Sequence, residues 1–277
     1  MRKKRLANNT LSSLILQITT IICGFILPKL ILSNFGSDVN GLVNSITQFL
    51  QIFAFLDLGV GAVFQSSLYK PLADNDIVKI SEIYVSGQKF FTRLAEILLG
   101  YVIVLIVVYP FIANQNFGFT YTATLIVAMS VSSFAQYYFG MANGLFLTAD
   151  QRGYIQYNVQ IITLILNTLS CYILIYLGAS IHIVKMTTSL IYLIRPIVLK
   201  VYVDKHYSIN KKAVYTDEPI KQKWNGLAQH IASVVLDSTD TIVLTVFSTL
   251  ANVSIYSVYY LVISGLNGRN NATTNYF

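Results

Sequence analysis

Charge is what this 277-residue chain has least of: Asp, Glu, Lys and Arg together make up 11% of it. Soluble domains carry about a quarter, so a solvated surface wrapped around one core is excluded. Histidine, at three residues, and cysteine, at two, are also scarce. No Cys/His set has metal-ligand spacing, and there is no GxxxxGK[ST] phosphate loop, no nucleophile elbow and no HExxH helix. Enzyme chemistry has no visible seat, and neither a cofactor nor a metal is expected. Cys23 and Cys171 both fall in apolar runs, where a thiol behaves as a small apolar side chain. No cleavable leader is expected either, because the apolar segment after MRKKR is too long for a signal-peptide core and lacks a small-residue cleavage site.

What is present is hydrophobic: 55% of the residues. Apolar runs of spanning length predict an all-α, polytopic transmembrane helix bundle. The expected spans are Thr10 to Leu32, Leu42 to Leu68, Phe91 to Ile112, Thr120 to Leu147, Tyr154 to Leu177, Ile181 to Tyr202 and Leu227 to Leu250. An eighth, Val253 to Leu266, is short for a crossing. Asp76 is placed to cap a short amphipathic helix carrying Ile77, Ile80 and Tyr84 on one face. The polar stretch Val203 to Lys223 reads as a linker, dividing the chain into a six-helix lobe (1–202), a linker (203–225) and the start of a second lobe (226–277).

The net charge of +7 would suit a nucleic-acid binder. Its distribution argues against one. With the N-terminus inside, the inner segments collect Arg2 to Arg5, Lys70, Lys79, Lys89, Arg93, Arg152 and Lys200 to Lys223, whereas the outer loops Ser33 to Gly41, Ala113 to Phe119 and Gly178 to Ser180 have no Lys or Arg. That asymmetry predicts a cytoplasmic N-terminus and no nucleic-acid partner.

Polar residues inside the spans carry the functional signal. Asp57 stands alone in the second span, near the expected midplane, where an ionisable group is costly and normally faces a bundle interior or an aqueous path. Asp237 and Asp240, one turn apart in the seventh span, complete an acidic set suited to proton or sodium coupling. The structural alternative for all three is a neutral acid hydrogen-bonded to a neighbouring helix. Polar stripes at helical spacing run along the first span (Thr10, Ser13, Gln17, Thr20, Gly24), the fifth (Gln156, Gln160, Thr163, Asn167, Ser170) and the seventh (Gly226, His230, Ser233, Asp237, Asp240). A weaker one runs along the fourth (Ser132, Gln136, Asn143), whereas ILLGYVIVLIVVY in the third span is bare. Several striped helices beside a bare one suggest a hydrated cavity, against helix-helix glue as the plainer reading. Gln17, Gln51, Gln160 and Asn167 are therefore cavity candidates. Lys29 and Arg195 are candidates for an anionic substrate group, with snorkelling as the alternative. Lys185 and His182, near the outer interface, read as solvated.

The segment PKLILSNFGSDVNGLVNSITQFLQIFAFLDLGVGAVFQSSLYKPLA resembles the opening of bacterial polysaccharide transporters of the oligosaccharide flippase type. LTADQRGYIQYNVQ, GASIHIVKMTTSLIYLIRPI and PIKQKWNGLAQHIASVVLDSTDTIVLTVFS extend the resemblance over roughly Leu6 to Tyr260. It implies membership of the superfamily that includes multidrug and oligosaccharidyl-lipid exporters, with two six-helix lobes around a central cavity, alternating access and often ion coupling. The implied function is translocation of lipid-linked oligosaccharide repeat units, carried on undecaprenyl pyrophosphate, across a bacterial plasma membrane for capsule, exopolysaccharide or O-antigen synthesis. Against that pattern the chain is expected to be truncated at its C-terminus, lacking most of the second lobe. Alternatives are a cation-coupled multidrug exporter, an inactive fragment, and, from another class, a membrane glycosyltransferase or polymerase.

Overall fold

The computed structural model describes residues 2–53, 55–112, 117–215, 219–220 and 239–274. Its order is α1 (Arg2–Ile52), α2 (Phe55–Asp74), α3 (Ile77–Ile112), α4 (Phe119–Ala135), a π turn (Gln136–Gly140), α5 (Met141–Ala149), α6 (Gly153–Tyr176), α7 (Ile181–Tyr192), α8 (Ile194–His206), α9 (239–247) and α10 (Leu250–Thr274). No strand occurs among the described residues. Lys4–Gln51, Ile77–Ile112, Phe119–Ala149, Gly153–Tyr176 and Ile181–His206 are each long and apolar enough to cross a bilayer. The chain is thus an all-α, polytopic membrane protein.

Its surface agrees with that solvent. Along α3, Leu94, Leu98, Val102, Leu105 and Tyr109 recur at three and four residues and are buried, while Ile97, Ile103, Val104, Val107 and Phe111 are exposed. A helix apolar on both faces needs lipid on the outer one. α1 packs along α6 and α10, α4 lies between α3 and α7, and α2 rests on α3 and α5.

Several expected boundaries are corrected. The loop expected at Ser33 to Gly41 is helical, and the chain changes direction at one residue, Gly36, with φ 84° and ψ 173°. Only glycine enters that region without strain. Gly36→Ala should therefore cost about 1–3 kcal/mol, because no neighbour lies within 4 Å of the added methyl and the penalty is backbone alone. Thermal unfolding in detergent checks it; an unchanged midpoint would mean the hinge tolerates another conformation.

The second span, expected as one helix from Leu42 to Leu68, is divided: α1 ends at Ile52, Phe53 forms a turn whose N–H donates to Leu50 O (3.3 Å), and α2 starts at Phe55. The separate amphipathic helix is absent, since its residues form the first turns of the 36-residue α3. Asp76 does cap it, accepting the Lys79 N–H at Oδ1 (3.1 Å), and that bond holds its carboxyl below the usual range. Ile80 and Tyr84 are buried in protein while Ile77 is exposed. The sixth span breaks at Leu193 because Pro196 has no N–H for the Tyr192 carbonyl, so α7 and α8 meet there. The eighth segment is longer than expected, 25 residues in α10, although its apolar part is only Leu250–Ile263.

Candidate functional site

The interior candidates separate into three groups. Asn167 is 2% exposed and Thr163 0%. Asn167 Nδ2 donates to the Tyr192 hydroxyl (3.4 Å) and its Oδ1 accepts from Cys171 Sγ (3.4 Å), while Thr163 bonds back to Gln160 O (2.9 Å). Asn167 is thus bonded across to α7, whereas Thr163 bonds within its own helix. Gln17 and Gln160 are half-buried; Gln51 and Lys29 are exposed, and Lys29 has no ion pair among the described residues. His182, expected to be solvated, instead packs edge-on against Tyr121 at 4.3 Å. Its Nε2 lies 2.9 Å from Tyr121 O. A carbonyl only accepts, so that nitrogen carries the proton.

Arg195 differs from all of these. It follows the Leu193 break, and its Nε is buried with no hydrogen-bond partner among the described residues. An unmet donor on a guanidinium is expensive, more so than a neutral one.

Of the acidic set, Asp57 is the third residue of α2, so the break at Phe53 puts it in a first helical turn, and its side chain lies outside the described residues. Asp237 lies outside them altogether, as do His230 and Ser233. Asp240 is exposed and accepts from the Tyr256 hydroxyl at 2.6 Å.

A polar seam joins α1 to α9 and α10. Asn40 Nδ2 donates to Ser254 Oγ (2.7 Å), Asn44 Nδ2 to Ser257 Oγ (3.0 Å), and Ser45 Oγ accepts from both Thr245 Oγ1 (2.9 Å) and the Tyr109 hydroxyl (2.7 Å). Gly41 lets the backbones meet there, since a Cβ on it would lie 1.8 Å from Leu250 O.

The α5–α6 turn is a C-cap with Gln151 in the left-handed region, φ 58°. Arg152 N donates to Leu147 O (2.8 Å) and Gln151 N to Thr148 O (3.0 Å), the paired bonds that close a helix with one left-handed residue. The turn projects Asp150 into a cluster. Arg152 Nε lies 2.9 Å from Asp150 Oδ2, Arg5 Nη1 reaches Asp150 O (3.1 Å) and Oδ1 (3.4 Å), and the Tyr207 hydroxyl donates to Oδ2 (2.5 Å). Asn9 adds two bonds to the same turn, donating to Gln151 O (3.1 Å) and accepting the Tyr154 N–H (2.7 Å). Burial first, and then Asp150, push the Tyr207 phenol well above its ordinary range.

At the same end of the bundle a cavity of about 330 Å³ opens between α3, the π turn, α8 and the following segment; it is lined by Tyr84, Gln88, Lys89, Tyr138, Lys200 and Lys211 among others. The Met141 N–H reaching back to Gln136 O marks the π turn, and the loosened Tyr138 carbonyl accepts Gln88 Nε2 at 2.8 Å. Asn143 closes the floor, accepting the Tyr84 hydroxyl (2.8 Å) and donating to Phe139 O (2.7 Å). Sequence reasoning read these lysines only as topology signals, and a π turn has no simple sequence signature. Compared with protein-family models, with curated proteins and with solved structures, the chain matches none.

Proposed function

We propose that this protein moves lipid-linked oligosaccharide repeat units, carried on a polyprenyl pyrophosphate such as undecaprenyl pyrophosphate, from the inner to the outer leaflet of a bacterial plasma membrane. The N-terminus and the basic end of the bundle then face the cytoplasm, following the Lys and Arg asymmetry. The observation that carries the reading is Arg195, whose buried Nε has no partner among the described residues in an apolar bundle. A standing unmet donor is rare in native structures and calls for an explanation; a pyrophosphate oxygen arriving with the substrate supplies one, in the fork geometry suited to phosphate. The divided second span supports it, because interrupted helices near the midplane are where transporters build their binding and ion sites. Asp57, in the first turn after that break, is the coupling candidate for a proton or sodium ion. The resemblance in the sequence supplies the substrate class.

The test is surface polysaccharide in cells whose own copy is replaced by a variant, with membrane levels matched. Arg195→Gln should lower export at least about tenfold, the scale of one lost charge-assisted bond, and Arg195→Lys should restore part of it. Wild-type export with Arg195→Gln would sink the role of Arg195, and normal polysaccharide after deletion would sink the function.

A further inference from the structure

We propose that the cavity between α3, the π turn and α8 binds the phosphate headgroup of an anionic membrane lipid. Three ammonium groups, from Lys89, Lys200 and Lys211, line it, and no carboxylate does. Lys211 is already neutralised by Asp204 at 2.5 Å. Lys89 and Lys200 have no carboxylate partner among the described residues; each rests on an aromatic ring instead, Lys200 on Phe139 at 4.9 Å and Lys89 on Tyr215 at 5.0 Å. A ring face holds an ammonium in place without cancelling its charge, leaving both cations able to attract an anion. Gln88 and Thr92 add polar side chains to the wall.

The depth and the lip of the cavity select a lipid over a free anion. Lys89 precedes the long apolar stretch of α3, and Lys200 lies in the last two turns of α8, so both stand at the level where headgroups meet the bilayer core. Tyr138 is exposed at the mouth and stacks on Phe134 at 5.5 Å, forming an aromatic ledge beside the cations. A soluble phosphate has no use for that ledge, whereas an acyl chain lies on it. Basic pockets between helices at the membrane surface bind headgroups in this way.

The experiment measures thermal stabilisation of the purified full chain in neutral detergent by added phosphatidylglycerol, phosphatidylcholine or inorganic phosphate. Phosphatidylglycerol alone should stabilise the wild type. Lys89→Gln with Lys200→Gln should weaken its apparent affinity roughly tenfold or more, each single change should give part of that loss, and the Arg pair should retain binding. Lys205→Gln with Lys212→Gln, two exposed charges outside the cavity, should leave affinity unchanged. Undiminished affinity in the Lys89/Lys200 variant, or an equal loss in the control, would overturn the site. Inorganic phosphate matching the lipid would overturn the headgroup assignment. The assay reads binding and not export, so failure here leaves the transport reading standing, and the reverse.

Discussion

Gly41→Ala should detach α10 from α1. The added methyl would lie 1.8 Å from the Leu250 carbonyl oxygen and 2.6 Å from its carbon, and both are backbone atoms that no rotamer change can move. Relief requires the helices to part by an ångström or more. Hydrogen bonds do not survive such a shift, and Asn40–Ser254 and Asn44–Ser257 both lie along the same contact. At about 0.6–1.7 kcal/mol for an interhelical bond in a membrane protein, losing the two together costs about 1–3 kcal/mol. Thermal unfolding in detergent reads the loss, and an unchanged midpoint in Gly41→Ala would show that α10 does not need the close approach.

Asp150→Ala should loosen the other end of the bundle by a similar amount. Its carboxylate is 19% exposed and serves Arg5 from the start of α1, Arg152 from its own turn, and Tyr207 from beyond α8. Removing it takes the acceptor from the Tyr207 phenol and the ion pair from both guanidinium groups, leaving Arg5 its bond to the Asp150 carbonyl (3.1 Å) and Arg152 its bond to the Tyr202 hydroxyl (3.4 Å). Bonds to charged groups contribute about 1.5–3 kcal/mol each when buried, and partial exposure screens them, so about 3 kcal/mol is the expected sum. Asp150→Asn should lose roughly half, because the amide still accepts. The pH dependence follows from Tyr207. Its folded-state value is raised, so its contribution is fully present below the unfolded value of about 10 and is lost as pH rises toward the folded one. In Asp150→Ala that alkaline loss should shrink, because the nearby charge that disfavours the phenolate is gone. Thermal melts of both variants between pH 7 and about pH 11 read both effects; equal stability of Asp150→Ala and wild type would mean that the cluster is ornamental.

The all-α bundle was legible because lipid demands long apolar runs, and those survive any uncertainty about packing. Helix ends were less so. Ser33 to Gly41 reads as a loop by composition, yet Gly36 alone makes the turn and Asn34 bonds back to Leu30 O at 2.8 Å, so the flanking polar residues stay helical. The polar stripe of α6 shows the deeper limit. Thr163 and Asn167 have the spacing of a cavity wall and equally of a packing seam, and the partner of Asn167, Tyr192, is a residue on another helix. The lysines of the basic cavity were visible singly. Their convergence depends on a π turn and on the meeting of α3 with α8, which are properties of packing rather than pattern.

The bundle is mechanically uneven. α3 runs unbroken for 36 residues, a rod of about 54 Å, while the neighbouring spans are interrupted at Gly36, Phe53, Gln136–Gly140 and Leu193. Bending concentrates where the i to i+4 ladder is cut. α3 is therefore the stiffest stretch of the described bundle, and the interrupted spans beside it are where bending is least resisted.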